Sequence, residues 1–470
     1  MIAQLALTAS LAGMPVIRPG GNAGATARYV RLSFDVDAYG VPGHGEIVVD
    51  RATGDFVRRF DAGPVSEREG WDGTHAWRAD ATGMARIEGN VDERGAIIVW
   101  SRLLAPVKDD EPCTVCGSRP PDVTVATPSG FATAVVRHVG EQTERTTLAD
   151  YRRDGNFVVP HTITDTSENG TWELHVRTVE TPAAVAASTF APPPPPHDAT
   201  IDGVATGPLL GPTVIPTLNV SVNGGAPLRF ALDTGGQNVI SPDAARKLGM
   251  EIVGNGTVGG AGAGLAKIQY AWARTVAVGS AQMRDQPFLV LDLGKGIPFD
   301  GIVGYELLAR FAVRLDFAHE RYAIAADAHA LGDQPGTDVP MVFDDRQPQV
   351  DGVLDGIPGA VTIDTGSASA LDVNAPFAIA HDLRTKYHAV DAGSPIAGVG
   401  GPVHAYLAKA EELELGAVRF TGVPLLLTDA TAGAEANPTV AANVGDQVLR
   451  RYNLLLDYRR DIVRFESPGR

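Results

Sequence analysis

The chain has 470 residues, a net charge of −17 and 44% hydrophobic residues. That apolar content is enough to bury real cores and too much for a disordered chain. At about 150 residues per domain the length suggests roughly three domains, and an acidic chain with no basic run lacks the footprint that holds nucleic-acid phosphates. The 53 glycines and 33 prolines favour many short strands and turns over long helices.

Residues 1–27 are poor in charge, and Ala25-Thr26-Ala27 before Arg28 has the small-x-small form of a signal-peptidase site. The expectation is a signal peptide, and hence an exported, periplasmic or extracellular protein; a flexible tail on a cytoplasmic protein is the alternative. No later stretch reaches the roughly 18 apolar residues of a membrane helix. Only Cys113 and Cys116 occur. They lack the further ligands of a zinc site and sit in a Pro/Gly-rich loop, so the candidates are a local disulfide or two free thiols.

Residues 28–190 read as antiparallel β. The runs Tyr29 to Val36 and Gly45 to Asp50 alternate, with Gly and Asp turns at about 8–12 residue spacing. Gly70-Trp71-Asp72-Gly73-Thr74-His75-Ala76-Trp77 places two Trp across a turn. This stretch resembles the curved half-barrel of outer-membrane lipoprotein carriers. The resemblance implies a face that holds an apolar or lipid ligand; a scaffold role is the alternative. Pro192 to Pro196 then form a polyproline run, the centre of a semi-rigid linker over 191–204.

The remainder repeats itself. Leu228-Arg229-Phe230-Ala231-Leu232 leads into Asp233-Thr234-Gly235, and Ala360-Val361-Thr362-Ile363 leads into Asp364-Thr365-Gly366. In both copies Gly stands eight residues before the Asp and Pro six before. Downstream, Val303-Gly304 and Val444-Gly445 are each followed by Arg at +6, an aromatic at +7 and Leu-Asp-aromatic at +11 to +13. The part is an internal duplication, with one β-rich lobe over 205–330 and another over 331–470. The recurring Asp316 and Asp457 read as caps of hairpin turns.

A buried strand ending in Asp-Thr-Gly holds its carboxyl rigidly, and the glycine lets the backbone amides turn back toward it. Two such carboxyls at hydrogen-bonding distance share one proton, so one can act as base on a water while the other donates to a carbonyl. On these motifs, residues 205–467 resemble aspartic proteases of the retropepsin/pepsin superfamily with both lobes in one chain. The resemblance implies a bilobal acid-protease β fold, so the whole chain is expected to be mostly β. It makes Asp233 and Asp364 catalytic, with Thr234, Gly235, Gly236, Thr365, Gly366 and Ser367 supporting their loops and Thr234 and Thr365 cross-bonding beneath them.

Ile302-Val303-Gly304 resembles the family's apolar-apolar-Gly motif, and Asn443-Val444-Gly445 is a poorer copy. The family also implies that the Ser367 hydroxyl supports the outer oxygen of Asp364. Gly236 has no hydroxyl to offer Asp233, so Asp233 is expected to be the less stabilised anion.

Each half carries a glycine-rich segment where the family has a mobile hairpin over the substrate. Gly259 and Gly260 mark the first, which is the favoured flap, and Gly400 and Gly401 mark the second; Tyr270 is a distant candidate for a flap tyrosine. No H-E-x-x-H or Gly-x-Ser-x-Gly pattern competes. The expected function is therefore peptide-bond hydrolysis by an aspartic endopeptidase with a polypeptide substrate and neither metal nor cofactor. A protease-like module that binds peptide or lipid without cutting it is the alternative.

Overall fold

The structure, a computed structural model, describes residues 27–89, 122–123, 133–139, 142–155, 157–211, 214–294, 296–393 and 396–467. Cys113, Cys116 and residues 1–26 of the expected signal lie outside the described residues. The protein is mostly β, and it divides into two compact units: Met1–Pro195 with Gly254–Gly256, and Pro196–Val253 with Thr257–Arg470. No helix among the described residues is long and apolar enough to cross a membrane.

The first unit is one antiparallel sheet of eleven strands, running from Ala85–Ile87 at one edge to Asp122–Val123 at the other. At its centre Tyr29–Ala38 pairs with both Val41–Asp50 and Gly170–Glu180. Alternation in Tyr29–Ala38 buries Val30, Leu32, Phe34 and Val36, as a sheet with one covered face requires. Around Trp77 the side chains of Val48, Val57, Ala79 and Phe190 form a core, and the Trp77 indole donates to the Phe190 carbonyl at 2.8 Å.

One face of this sheet carries a row of charges among buried aromatics such as Phe56 and Phe60. Arg58, Glu69, Arg78 and Arg86 stand opposite one another across four neighbouring strands. Arg58, Glu69 and Arg86 are buried. Arg58 bonds Glu69 at 2.9 Å and Glu67 at 2.8 Å, Arg86 pairs with Glu88 at 3.0 Å, and the Trp172 ring covers the Arg58 guanidinium at 4.7 Å. A buried charge is tolerated only when it is paired, and here the buried arginines pair with glutamates.

In the second unit the duplicated segments build two closed barrels with the same strand circuit. In the first, Thr217–Val222, Leu228–Leu232, Gly301–Val303, Val239–Ile240, Ala281–Leu291 and Ala266–Val278 pair in that order, and the last returns to the first. In the second, the circuit is Gln347–Leu354, Ile357–Ile363, Ala442–Val444, Leu371–Val373, Val418–Thr428 and Ala405–Leu415, again closing. The strand that leads into each Asp runs parallel to the short strand of the downstream block. Each is flanked by a strand on both sides, and the last residues of the strand before each Asp are a continuous buried run.

A third sheet of six strands joins the barrels, through Ala312–Asp316 against Asn453–Asp457. Arg314 faces Leu455, which is its own counterpart at the 141-residue offset between Gly304 and Gly445. A strand paired with its duplicate in this register places a local two-fold relation through the pair. Asp316 accepts the His319 amide at 3.2 Å and the Asn453 side chain at 3.0 Å, consistent with a turn-capping role.

The segment after the prolines is more than a spacer. Ala199–Thr200 adds a strand to the first barrel's sheet, and buried Arg310 clamps Asp198 with two bonds of 2.9 and 2.6 Å. Gln286 donates to the same carboxylate at 3.1 Å.

Replacing Glu69 by Leu removes the buried one of the two carboxylates that Arg58 bonds, leaving it Glu67. Stability is expected to fall by about 1.5–3 kcal/mol, read as a lower urea midpoint in tryptophan fluorescence; an unchanged midpoint would show that this pair carries no net stability.

Candidate active site

Each Asp-Thr-Gly loop leaves its barrel strand at the last buried residue, and the two loops are tied to each other. The Thr234 hydroxyl donates to the Ile363 carbonyl at 2.6 Å and accepts the Thr365 amide at 2.9 Å. The reciprocal bonds run from the Thr365 hydroxyl to the Leu232 carbonyl at 2.8 Å and from the Thr234 amide to the Thr365 hydroxyl at 3.1 Å. Both threonines are completely buried, so these bonds are unscreened and expensive to leave unmade. From beneath, the buried Tyr458 hydroxyl reaches the Thr234 carbonyl at 3.5 Å.

This grip brings Asp233 and Asp364 together. Their carboxyl groups hydrogen-bond to each other, and each also lies against the opposite loop. A Cβ added at Gly366 would meet the Asp233 carboxyl carbon at 2.3 Å, and one at Gly235 would meet that of Asp364 at 3.0 Å. The glycines are needed because a carboxylate occupies the space of a side chain. Backbone geometry matches in the two loops: the Gly235 and Gly366 amides each donate to the inner oxygen of their own Asp at 2.8 Å.

The outer oxygens differ. Asp364 Oδ2 accepts from the Asn443 side-chain amide at 2.7 Å. The Ser367 hydroxyl, expected to do this, instead bonds Ser369 at 2.8 Å and reaches Asp372 at 3.4 Å. Gly236 is more than a missing hydroxyl, since a Cβ there would lie 2.8 Å from Asp233 Oδ2. Burial raises both carboxyls. For Asp233 the neighbouring Asp364 charge adds to it, whereas for Asp364 the Asn443 bond and backbone amides counteract it. Asp364 thus has a side-chain donor to its carboxylate that Asp233 lacks in its own loop. Asn443 is the residue that motif reading passed over. The signal was present, because at the 141-residue offset its counterpart is Ile302.

Both glycine-rich segments come together. Gly262 and Gly264 donate to the carbonyls of Val399 and Gly400 at 3.0 and 2.8 Å, and Ala434 donates to Gly260 at 2.8 Å. A Cβ at Gly260 would meet Val399 at 2.6 Å. Gly400 and Gly401 turn the small hairpin Ile396–Gly398 with Gly401–Val403. Gly259 lies just beyond the strand Ile252–Val258. Tyr270 is buried in a barrel strand and paired with Leu289, away from the hairpin tip.

Three further carboxyls surround Asp364 on the second barrel's side. Burial, together with the Asp364 charge, pushes Asp372 up to about 6, Glu435 to about 8 and Asp446 to about 9. Asp446 is wholly buried, and neither of its carboxyl oxygens has a hydrogen-bond partner. Among the described residues no group of His, Cys, Asp and Glu has metal-holding geometry. Between an unfolded carboxyl value near 4 and these raised values, the folded protein holds protons that the unfolded chain releases, so stability falls as pH rises through that window. Urea unfolding at pH 5 and pH 8 is expected to show this loss. In Asp446→Asn the slope should be shallower by as much as about 1.4 kcal/mol per pH unit; an unchanged slope would contradict the assignment.

Residues 218–307 match a family model described as aspartyl protease. The matched stretch includes Asp233 and extends past the parallel strand Gly301–Val303 that supports it. A search of the curated proteins found no match. The family match supports a protease-like function.

Proposed function

We propose that the protein is an aspartic endopeptidase in which the two barrels are the lobes and Asp233 and Asp364 the catalytic pair. The observation that carries this reading is the pair of carboxyls held in mutual hydrogen bond by the reciprocal threonine grip. Two carboxyls in such contact retain one proton between them. The ionised one takes a proton from a water as the water oxygen bonds to the peptide carbonyl carbon, and the protonated one gives its proton to the carbonyl oxygen. The resulting diol collapses with a proton delivered to the amide nitrogen, the C–N bond breaks, and a carboxyl and an amine leave.

The surrounding geometry suits this chemistry. The backbone amides of Gly235 and Gly366 fix Oδ1 of each carboxyl, and Asn443 holds Oδ2 of Asp364, whose remaining lone pair can face a water. The glycine segments that meet at Gly262 and Val399 supply a closure that excludes bulk water, and an extended polypeptide is the substrate that such hairpins cover.

Activity requires one carboxyl ionised and the other protonated, so the pH profile of kcat/KM is expected to be bell-shaped. Asp364→Asn should lower kcat/KM on a disordered polypeptide by about 10²–10⁴-fold at the optimum, and pepstatin should inhibit the wild type. Undiminished cleavage by the variant would overturn the pair mechanism.

A further inference from the structure

The duplication makes the two halves of the pair comparable position by position, and one position breaks the symmetry. Ala231 stands beside Ile302 in the first barrel, and Thr362 beside Asn443 in the second. The next residue in each short strand, Val303 or Val444, accepts the amide of its Asp at 3.0 Å. At the same place in the circuit, the first barrel thus carries an aliphatic side chain and the second an amide. The amide is engaged, with Asn443 Nδ2 lying 2.7 Å from Asp364 Oδ2. Nothing equivalent is available in the first loop, where Gly236 brings no side chain and Asp233 Oδ2 fills the space that one would take.

On the reading that this pair hydrolyses peptide bonds, we propose that Asn443 is a positioning residue that makes Asp364 the water-activating carboxylate and leaves the shared proton on Asp233. An N–H donor favours the ionised form of the oxygen it faces. Asp364 then has a donor on each oxygen, Gly366 on Oδ1 and Asn443 on Oδ2, whereas Asp233 has the Gly235 amide on Oδ1 and the partner carboxyl. Two oxygens held by donors fit a carboxylate, and one oxygen left to share a proton fits an acid. In the reaction Asp364 accepts the proton of the attacking water, and Asp233 delivers its own to the carbonyl oxygen. The Ser367 hydroxyl is spent on Ser369 and Asp372, and only its backbone amide favours the ionised Asp364.

The test is the variant Asn443→Ile, which copies the side chain already present at the matching place in the first barrel. The acid limb of the kcat/KM profile reports ionisation of the base. It should move up by about one pH unit, with roughly tenfold less activity below the limb, while KM and the alkaline limb stay fixed. The reciprocal variant Ile302→Asn offers an amide to Asp233 and should pull the alkaline limb down; it decides the matter where Asn443→Ile does not fold. Carboxyl ¹³C titration of the free protein, assigned with Asp233→Asn and Asp364→Asn, gives a readout independent of turnover. In Asn443→Ile the Asp364 transition should rise and that of Asp233 should hold.

A uniform fall in rate with both limbs and both titrations unmoved would overturn the proposal and make Asn443 merely structural. Absence of hydrolysis by the wild type at every pH would defeat the peptidase reading instead. The titration would then judge the Asn443 assignment alone, with an unmoved Asp364 transition counting against it.

Discussion

The second unit turns on the hydrogen bonds exchanged between Thr234 and Thr365. Each hydroxyl crosses to the carbonyl at the end of the other barrel's central strand and receives an amide in return. Taken singly, such bonds contribute about 1 kcal/mol net, but stranding their buried partners costs about 1–3 kcal/mol each. The loops are therefore over-determined. Because the grip is reciprocal, it sets the loops' separation and orientation together, and the carboxyls one residue earlier have only one place to go.

From that constraint the rest follows outward. Carboxyls forced together lie where side chains of the opposite loop would be, so Gly235 and Gly366 are required. Strands that deliver them must be central and buried, which the paired circuits of the two barrels provide. The connecting sheet repeats the two-fold relation at Arg314 and Leu455. The symmetry ends at Oδ2 of the two carboxyls, where Asn443 donates to Asp364 and Gly236 brings no side chain to Asp233. Hydrolysis of this type needs unlike partners, so a symmetric scaffold carrying one asymmetric contact is chemically coherent.

Much of this was legible in the sequence because duplication leaves fixed offsets that composition cannot imitate. The triplets at Asp233 and Asp364, the glycine segments and the Leu-Asp-aromatic blocks could all be read as spacings. What escaped was information carried by long-range contact. Ser367 has the residue type for supporting Asp364, but its rotamer is claimed by Ser369 and Asp372. Asn443 read as a flaw in an apolar motif until a neighbouring strand set it against a carboxylate. Arg58 and Glu69 stand beside exposed charges such as Arg59 and Arg68, and only cross-strand pairing reveals them as a buried pair. The encounter of Gly262 with Val399 joins segments more than a hundred residues apart, with no local signature.

The central claim is that water, activated between Asp233 and Asp364, cleaves peptide bonds. Its most direct test is digestion of a disordered polypeptide in H₂¹⁸O by the wild type and by Asp233→Asn, with the new carboxyl termini read by mass spectrometry. The expected result is one solvent ¹⁸O in each new carboxyl from the wild type and almost no new termini from the variant. The same termini appearing at the same rate in Asp233→Asn would contradict it.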